Sequence, residues 1–149
     1  MRVKIFAFML ALAILSSGNT VFSHTGVQRY TLVLQLTGDY EWAQHLAERA
    51  SELLNLEMQL GNITYSKEYG RITSDSCESI LNCSEVERFQ LGEYISLGNS
   101  KDYRIEGPEQ IAVIAGLYEG PNSADYALKK VKPLYKDAFI QVDTGYPPE

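Results

Sequence analysis

Residues 110–118 read Gln110-Ile-Ala-Val-Ile-Ala-Gly116-Leu-Tyr118, an apolar run with the length and composition of a central strand. A polar turn follows, in which Asn122 or Ser123 can serve as the N-cap of a helix. The inward face of that helix is predicted to consist of Ala124, Ala127, Leu128 and Val131. Residues 138–142 are mostly apolar and predict a last strand. We therefore expect this part of the chain to fold as strand, helix, strand.

A second strand–helix unit lies nearer the N-terminus. Residues 30–36 read Tyr30-Thr-Leu-Val-Leu-Gln-Leu36, a composition typical of a strand. From Glu41 the apolar residues change to helical spacing, and Asp39 precedes them as a candidate N-cap. This apolar stripe consists of Ala43, Leu46, Ala47, Ala50, Leu53 and Leu54. Two strand–helix units and a closing strand predict an α+β fold, with one antiparallel sheet and both helices on one face.

The stretch between these units, about residues 61–107, is an insertion with a less regular pattern. Residues 63–65 and 89–97 are candidate strands, whereas residues 77–86 suit a short helical or looped excursion. The two predicted helices leave the second face of the sheet uncovered. That face is open either to a ligand or to the insertion.

Residues 1–23 have the pattern of a cleavable secretory signal peptide. A short basic start, Arg2 to Lys4, precedes an uninterrupted apolar run over residues 5–15. The run is shorter than the ~20 residues that a helix needs to cross a bilayer. Small residues allow cleavage after Gly18 or, as we prefer, after Ser23. The sequence thus predicts an exported protein with no membrane span after cleavage.

The rest of the chain, residues 24–149, has the size of one domain, and the whole chain is acidic. It contains 19 Asp and Glu against 13 Lys and Arg, for a net charge of −6. Affinity for nucleic acid comes largely from Lys and Arg that displace counterions from phosphates. Nucleic acid and anionic membrane surfaces are therefore not expected as partners.

The chain has two cysteines, Cys77 and Cys83, and both belong to the predicted exported part. Oxidising conditions outside the cytoplasm favour a disulfide between them. Because the loop is short, the bridge would stabilise the fold by about 2 kcal/mol. The spacing is not that of a C-x-x-C redox pair, and the acidic neighbours Asp75, Glu78 and Glu85 disfavour a reactive thiolate. A structural staple is the preferred interpretation.

Motifs for catalysis are scarce. The sequence has no Cys/His metal cluster, no G-x-S-x-G elbow and no phosphate-binding glycine loop. His45 and Glu48 are an ordinary i, i+3 pair on the first predicted helix. By contrast, ten tyrosines and Trp42 offer flat apolar faces with polar edges, which suit sugar rings or protein interfaces. We therefore expect a binding module rather than an enzyme, without a metal or cofactor.

Both halves resemble the SPOR domain, a peptidoglycan-binding module of bacterial envelope proteins. The second half carries most of the resemblance, in a strand ending Gly116-Leu-Tyr118, an Ala-containing helix and a strand that begins Asp137-Ala-Phe-Ile140. The first half matches more loosely, as Val33-Leu-Gln35-Leu-Thr-Gly38-Asp-Tyr40 followed by Ala47. The resemblance implies a β-α-β-β-α-β fold, a periplasmic location and docking to peptidoglycan glycan strands.

The resemblance also implies candidate ligand-binding residues. Gln35 and Tyr40 correspond to family positions close to the binding face. The aromatic and Arg that begin the third strand of the family fall here at Gln110 and Ala112, so Tyr103-Arg104-Ile105 is the available substitute. The candidate ligand-binding residues are Gln35, Tyr40, Tyr103 and Arg104.

Docking to peptidoglycan glycan is the first hypothesis and a protein-interaction role is the alternative, and the two differ in what occupies the second face of the sheet. If that face is open and aromatic, the protein is expected to dock to peptidoglycan glycan. If the insertion at 61–107 covers it, the protein is expected to be a periplasmic protein-interaction module or envelope assembly factor. An RNA-binding domain of the same topology is disfavoured by the export signal and the negative charge.

Overall fold

A computed structural model describes residues 27–74 and 91–146. The predicted signal peptide and the predicted disulfide between Cys77 and Cys83 lie outside these residues. The elements within the described ranges are β1 (Val27–Thr37), α1 (Tyr40–Leu54), β2 (Ile63–Ser66), β3 (Arg71–Ser74), β4 (Ser96–Asn99), β5 (Ile111–Tyr118), α2 (Pro121–Val131) and β6 (Phe139–Tyr146). Within these described ranges, neither helix is long and apolar enough to cross a membrane.

Four of these strands form one antiparallel sheet in the order β4-β5-β1-β6. Strands β1 and β5 are central, and Val33 of β1 pairs with Ile114 on one side and Phe139 on the other. If the small β2–β3 hairpin is set aside, the element order is β-α-β-β-α-β. The predicted α+β fold, with both helices packed against one sheet face, is confirmed.

Helix α1 begins and ends as its sequence requires. The Asp39 carboxylate accepts a hydrogen bond from the Trp42 backbone N–H at 3.1 Å, so it is the N-cap that we predicted. Asn55 ends the helix in the left-handed conformation at φ 52°, which Asn adopts more readily than most residues. The buried face contains Ala43, Leu46, Ala47 and Ala50. Leu53, which we assigned to the same apolar stripe, is instead exposed.

Helix α2 begins earlier than predicted. Its N-cap is Gly120 rather than Asn122 or Ser123, and Pro121 is its first residue. Proline suits this position because its fixed φ matches the helix and its missing N–H would have no partner there. Ala124, Ala127 and Val131 are buried against the sheet, where their small side chains allow the helix to approach closely.

The core between helices and sheet includes Leu32 and Leu34 of β1 and Val113 of β5. Strand β6 extends beyond the predicted 138–142 and ends at Tyr146. The reason is its partner: β1 begins at Val27, which pairs with Tyr146. A strand extends as far as its neighbour offers hydrogen bonds.

The insertion adds the hairpin β2–β3 and a short edge segment. The predicted strand at 63–65 is confirmed as β2. In the predicted strand at 89–97, the described part is regular only from Ser96, while Gly92 and Ile95 form isolated bridges to Leu117 and Met58. These bridges attach the segment before β4 to β5 on one side and to the segment after α1 on the other.

Gly116 permits one of these contacts. It lies at φ +133° in the irregular part of the β1–β5 register, and a Cβ there would lie 2.6 Å from the Gly92 carbonyl oxygen. The Leu117 backbone N–H donates to that same oxygen at 2.9 Å. Only glycine accommodates this backbone conformation and this close approach together.

Candidate functional site

The sheet face opposite the helices is covered at its centre. Val33, Ala112 and Ile114 point away from the helices and form a second buried cluster with Tyr103 and Ile105. We call these five residues the second-face cluster. Tyr103 and Ile105 come from the connection between β4 and β5, the last part of the insertion. Two side chains of this connection therefore occupy the second face of the sheet, which a flat ligand would need.

The connection folds back over the sheet because hydrogen bonds join its two ends. The Ser100 backbone N–H donates to the Gln110 carbonyl at 2.7 Å, and the Gln110 N–H donates to the Ser100 hydroxyl at 2.9 Å. A 3₁₀ turn over Ser100–Tyr103 then directs Tyr103 onto Gly98 of β4. A Cβ at Gly98 would lie 2.5 Å from the Tyr103 ring, so the ring rests directly on the glycine.

Arg104 carries the connection across to the far edge of the sheet. Its Nη1 lies 2.9 Å from Oδ1 of the buried Asp143 on β6, and its carbonyl accepts a hydrogen bond from Gln141 at 3.3 Å. The Arg104 backbone adopts the left-handed conformation at φ 55°. That conformation costs roughly 1 kcal/mol for a residue other than glycine, and the ion pair helps to hold it.

A buried amide joins the insertion to the sheet. The side-chain amide of Asn99, at the end of β4, accepts from the Ile72 N–H and donates to the Ile72 carbonyl, both at 2.8 Å. It therefore bonds to the Ile72 backbone as a neighbouring strand would. It also donates to Asp102 at 2.9 Å, and Arg71 lies 3.8 Å from the same carboxylate. Burial raises the pKa of Asp102, against the opposing effects of Asn99 and Arg71. The hairpin and the connection therefore share one polar anchor.

Tyr40 is engaged inside the protein. Its ring stacks on Tyr65 of the hairpin, with centroids 4.6 Å apart and planes 5° from parallel. Gln44 donates a hydrogen bond to the Tyr40 hydroxyl at 3.2 Å, and burial raises the pKa of that hydroxyl. Tyr40 thus fastens the hairpin to α1, and one face of its ring is already occupied.

Gln35 lines a groove on the helix side of the molecule. One wall is the outer face of α1, and the other is the connection between α2 and β6. The groove has a volume of about 530 Å³. Its lining residues are Leu34, Gln35, Trp42, His45, Leu46, Arg49, Leu53, Leu134, Tyr135, Lys136 and Asp137. We call it the α1 groove.

The α1 groove combines apolar surface with positive charge. Trp42, Leu53 and Leu134 are 52%, 52% and 54% exposed, although all three are large apolar side chains. In the described lining, Arg49 and Lys136 contribute two cations against the single carboxylate of Asp137. In a chain of net charge −6, this is a local reversal of sign.

Two further ionisable residues line the groove. His45 lies 3.7 Å from Glu48, with both side chains largely exposed. Among the residues that the structure describes, the Tyr135 hydroxyl is buried without a hydrogen-bond partner, and burial raises its pKa more than the Arg49 charge lowers it. Within residues 27–74 and 91–146, no three His, Cys, Asp or Glu side chains are grouped to hold a metal ion. The features of the groove that can recognise a ligand are therefore its shape, its apolar side chains and its charge.

The four predicted ligand-binding residues do not share one surface. Tyr103 and Arg104 lie on the second face, Tyr40 lies between α1 and the hairpin, and Gln35 lies in the α1 groove. Apart from Gln35, the residues that line the groove were not among the predicted ligand-binding residues. On α1 their signal is visible in retrospect, since Trp42, Leu46, Arg49 and Leu53 recur at i, i+4, i+7 and i+11 on one side of the helix.

Comparison with known proteins adds no relative. No family model matches this chain. No curated protein and no solved structure matches it either.

Proposed function

We propose that this protein is an exported, non-catalytic module that binds a protein of the bacterial cell envelope. The observation that carries the proposal is the covered second face. Tyr103 and Ile105 are buried on the sheet together with Val33, Ala112 and Ile114. Docking of a glycan chain on this face would require these side chains to leave it.

The attachment of the connection supports this choice over glycan docking. It is closed at its base by Ser100 and Gln110, held at its far end by Arg104 and Asp143, and anchored by Asn99. A ligand that displaced it would have to compensate for the exposure of buried apolar surface, at about 25 cal/mol per Å². A partner that binds elsewhere incurs no such cost.

Export is the sequence-based part of the proposal. The basic start and apolar run of residues 1–23 support it. The resemblance to SPOR domains supports the periplasm as the destination. Secretion of the protein and sequencing of its mature N-terminus, expected after Ser23, test this part independently of binding.

Co-sedimentation with purified sacculi, together with affinity capture from envelope extract, tests the binding partner. We expect the protein to stay in the supernatant of sacculi, with or without amidase treatment that removes stem peptides. We expect the capture experiment to return one protein in stoichiometric amount. Specific pelleting with amidase-treated sacculi and no protein partner would instead support glycan docking.

A matched variant sharpens this test. Arg104→Ala removes the ion pair that holds the connection over the second face. If the face is a glycan site, this variant should change pelleting, because Arg104 would contact the glycan or gate access to it. If the protein binds a partner elsewhere, capture of that partner should be unchanged.

A further inference from the structure

We propose that the α1 groove binds a short segment of a partner protein that combines large apolar side chains with carboxylates. This inference rests on the proposed function and names the surface and the chemistry of the partner. It uses none of the second-face cluster, so it can fail while the proposed function stands.

The first step is the distribution of exposed apolar side chains. Trp42, Leu53 and Leu134 are about half exposed and line one groove. Trp42 and Leu53 are eleven residues apart on α1, which at a rise of about 1.5 Å per residue places them roughly 16 Å apart along the helix. That length matches about five residues of extended peptide. A folded surface that keeps such side chains together in a concavity is typical of a recognition site.

The second step is charge. Arg49 projects from α1 between Trp42 and Leu53, and Lys136 lies on the opposite wall beside Leu134. Among the described residues that line the groove, Asp137 is the only acidic one, whereas the chain as a whole carries more acidic than basic residues. A partner with carboxylates flanking its apolar residues would meet complementary charge from both walls.

The third step is the geometry of the walls. One wall is a regular helix whose inward face is held by Ala43, Ala47 and Ala50 in the core. The other follows α2, whose turn is closed by hydrogen bonds from Leu134 and Tyr135 to the Val131 carbonyl at 2.9 and 2.8 Å. Both walls are therefore set before binding, which lowers the entropic cost of association.

Trp42 makes the test direct, because it is the single tryptophan of the chain. The probes are two synthetic seven-residue peptides of alternating charged and apolar residues, one with Glu and one with Lys at the charged positions. We expect the Glu peptide to shift Trp42 emission to the blue in a saturable way, and added salt to weaken its binding. The Lys peptide should bind at least tenfold more weakly.

Charge reversal and a matched control assign the effect to the groove. The double variant Arg49→Glu/Lys136→Glu should reverse the preference between the two peptides. Leu134→Glu should weaken binding of the Glu peptide roughly tenfold or more, as expected for a central apolar contact. Tyr126→Glu introduces the same charge at an apolar side chain that is 64% exposed outside the groove, and it should leave binding unchanged. Thermal unfolding confirms that each variant is folded.

The outcomes separate the assignment of the groove from the proposed function. An unchanged Trp42 emission with both peptides, or equal affinity for both, would overturn the groove assignment. A shift produced only by glycan chains free of stem peptides would make the groove a sugar site and overturn it as well. If an envelope protein is captured equally by the wild-type protein and by Leu134→Glu, the proposed function stands while this surface is wrong.

Discussion

The two faces of the sheet are covered by different means. Two helices cover the first face with a continuous layer of apolar side chains, including Ala43, Ala47 and Ala127. One looped connection covers the second face with Tyr103 and Ile105, and reaches the far edge through Arg104. The helix side depends on many interchangeable apolar contacts, whereas the loop side depends on a few specific ones. Substitutions on the two faces should therefore differ in size and in character.

Truncation of a core side chain on the helix side should have the largest effect. Leu97→Ala removes a fully buried side chain between sheet and helices, so the free energy of unfolding should fall by about 2–5 kcal/mol. Ile105→Ala removes a comparable buried side chain on the loop side. It should cost less, because a loop can move in to fill a cavity. Urea unfolding measures both values, and equal losses would contradict the distinction between the faces.

The second largest loss of stability should come from a substitution at the contact between Tyr103 and Gly98. In Gly98→Ala the new methyl group would lie 2.5 Å from the Tyr103 ring, so we expect a loss of about 1–3 kcal/mol. The double variant Gly98→Ala/Tyr103→Ala should be more stable than the sum of the single losses implies. Gly38→Ala, which has open space around its new methyl group, is the control. Additive losses in denaturant unfolding would mean that the ring does not rest on Gly98.

Two substitutions of Arg104 separate the contribution of its ion pair to stability from the cost of its backbone conformation. Arg104→Ala should lower the free energy of unfolding by about 1 kcal/mol, since the Asp143 carboxylate loses this partner while the Arg104 side chain is largely exposed. Arg104→Gly loses the same pair but relieves the left-handed backbone at φ 55°, so it should be about 1 kcal/mol more stable than the Ala variant.

Thermal unfolding of the two Arg104 variants at matched salt makes this comparison. Glu106→Ala, at an exposed position two residues away, is the control and should change little. If the Ala and Gly variants are equally stable, the backbone at Arg104 is not strained. If neither differs from wild type, the ion pair with Asp143 does not hold the connection.

The smallest effect should be the pH dependence contributed by Asp102. Burial raises its folded pKa above its ordinary value of 3.8, so the folded state holds this proton more tightly than the unfolded state. The resulting stabilisation is complete below 3.8 and is lost as the pH rises through the higher folded pKa. Asp102→Asn keeps an oxygen to accept from Asn99 and removes this dependence.

Unfolding of wild type and Asp102→Asn is compared at pH values on both sides of 3.8. The variant should gain stability relative to wild type as the pH rises across this range. A constant difference between the two proteins would mean that the Asp102 carboxyl titrates normally. Thr73→Ala, a neighbouring change without a titrating group, is the reference for pH effects from the rest of the chain.

Much of the helix side could be predicted from local sequence patterns. The spacing of Ala43, Leu46, Ala47 and Ala50 indicated the buried face of α1, and Asp39 indicated its start. Patterns were less informative where two local signals compete. Pro121 rather than Asn122 determines the start of α2, because a proline at the first helical position makes a side-chain cap further along unnecessary.

The candidate site was much harder to predict. Tyr126 is 64% exposed and lies under Lys130, whose Nζ is 5.0 Å from its ring centroid. Gln35 was picked out only through a resemblance, and it lies in the α1 groove rather than on the second face of the sheet. An aromatic residue in isolation has no periodicity, so its burial depends on what the rest of the chain brings to it.

The sequence by itself determined the elements: two amphipathic helices, an apolar central strand in β5 and an acidic chain. Each of these is a local property, because helical and strand periods repeat within a few residues. Tertiary structure alone decided that Tyr103 would cover the second face, and that Trp42 and Leu134 would meet across one groove. Those contacts join segments far apart in the chain, so they depend on sheet order, strand register and the path of a connection, none of which a local pattern encodes.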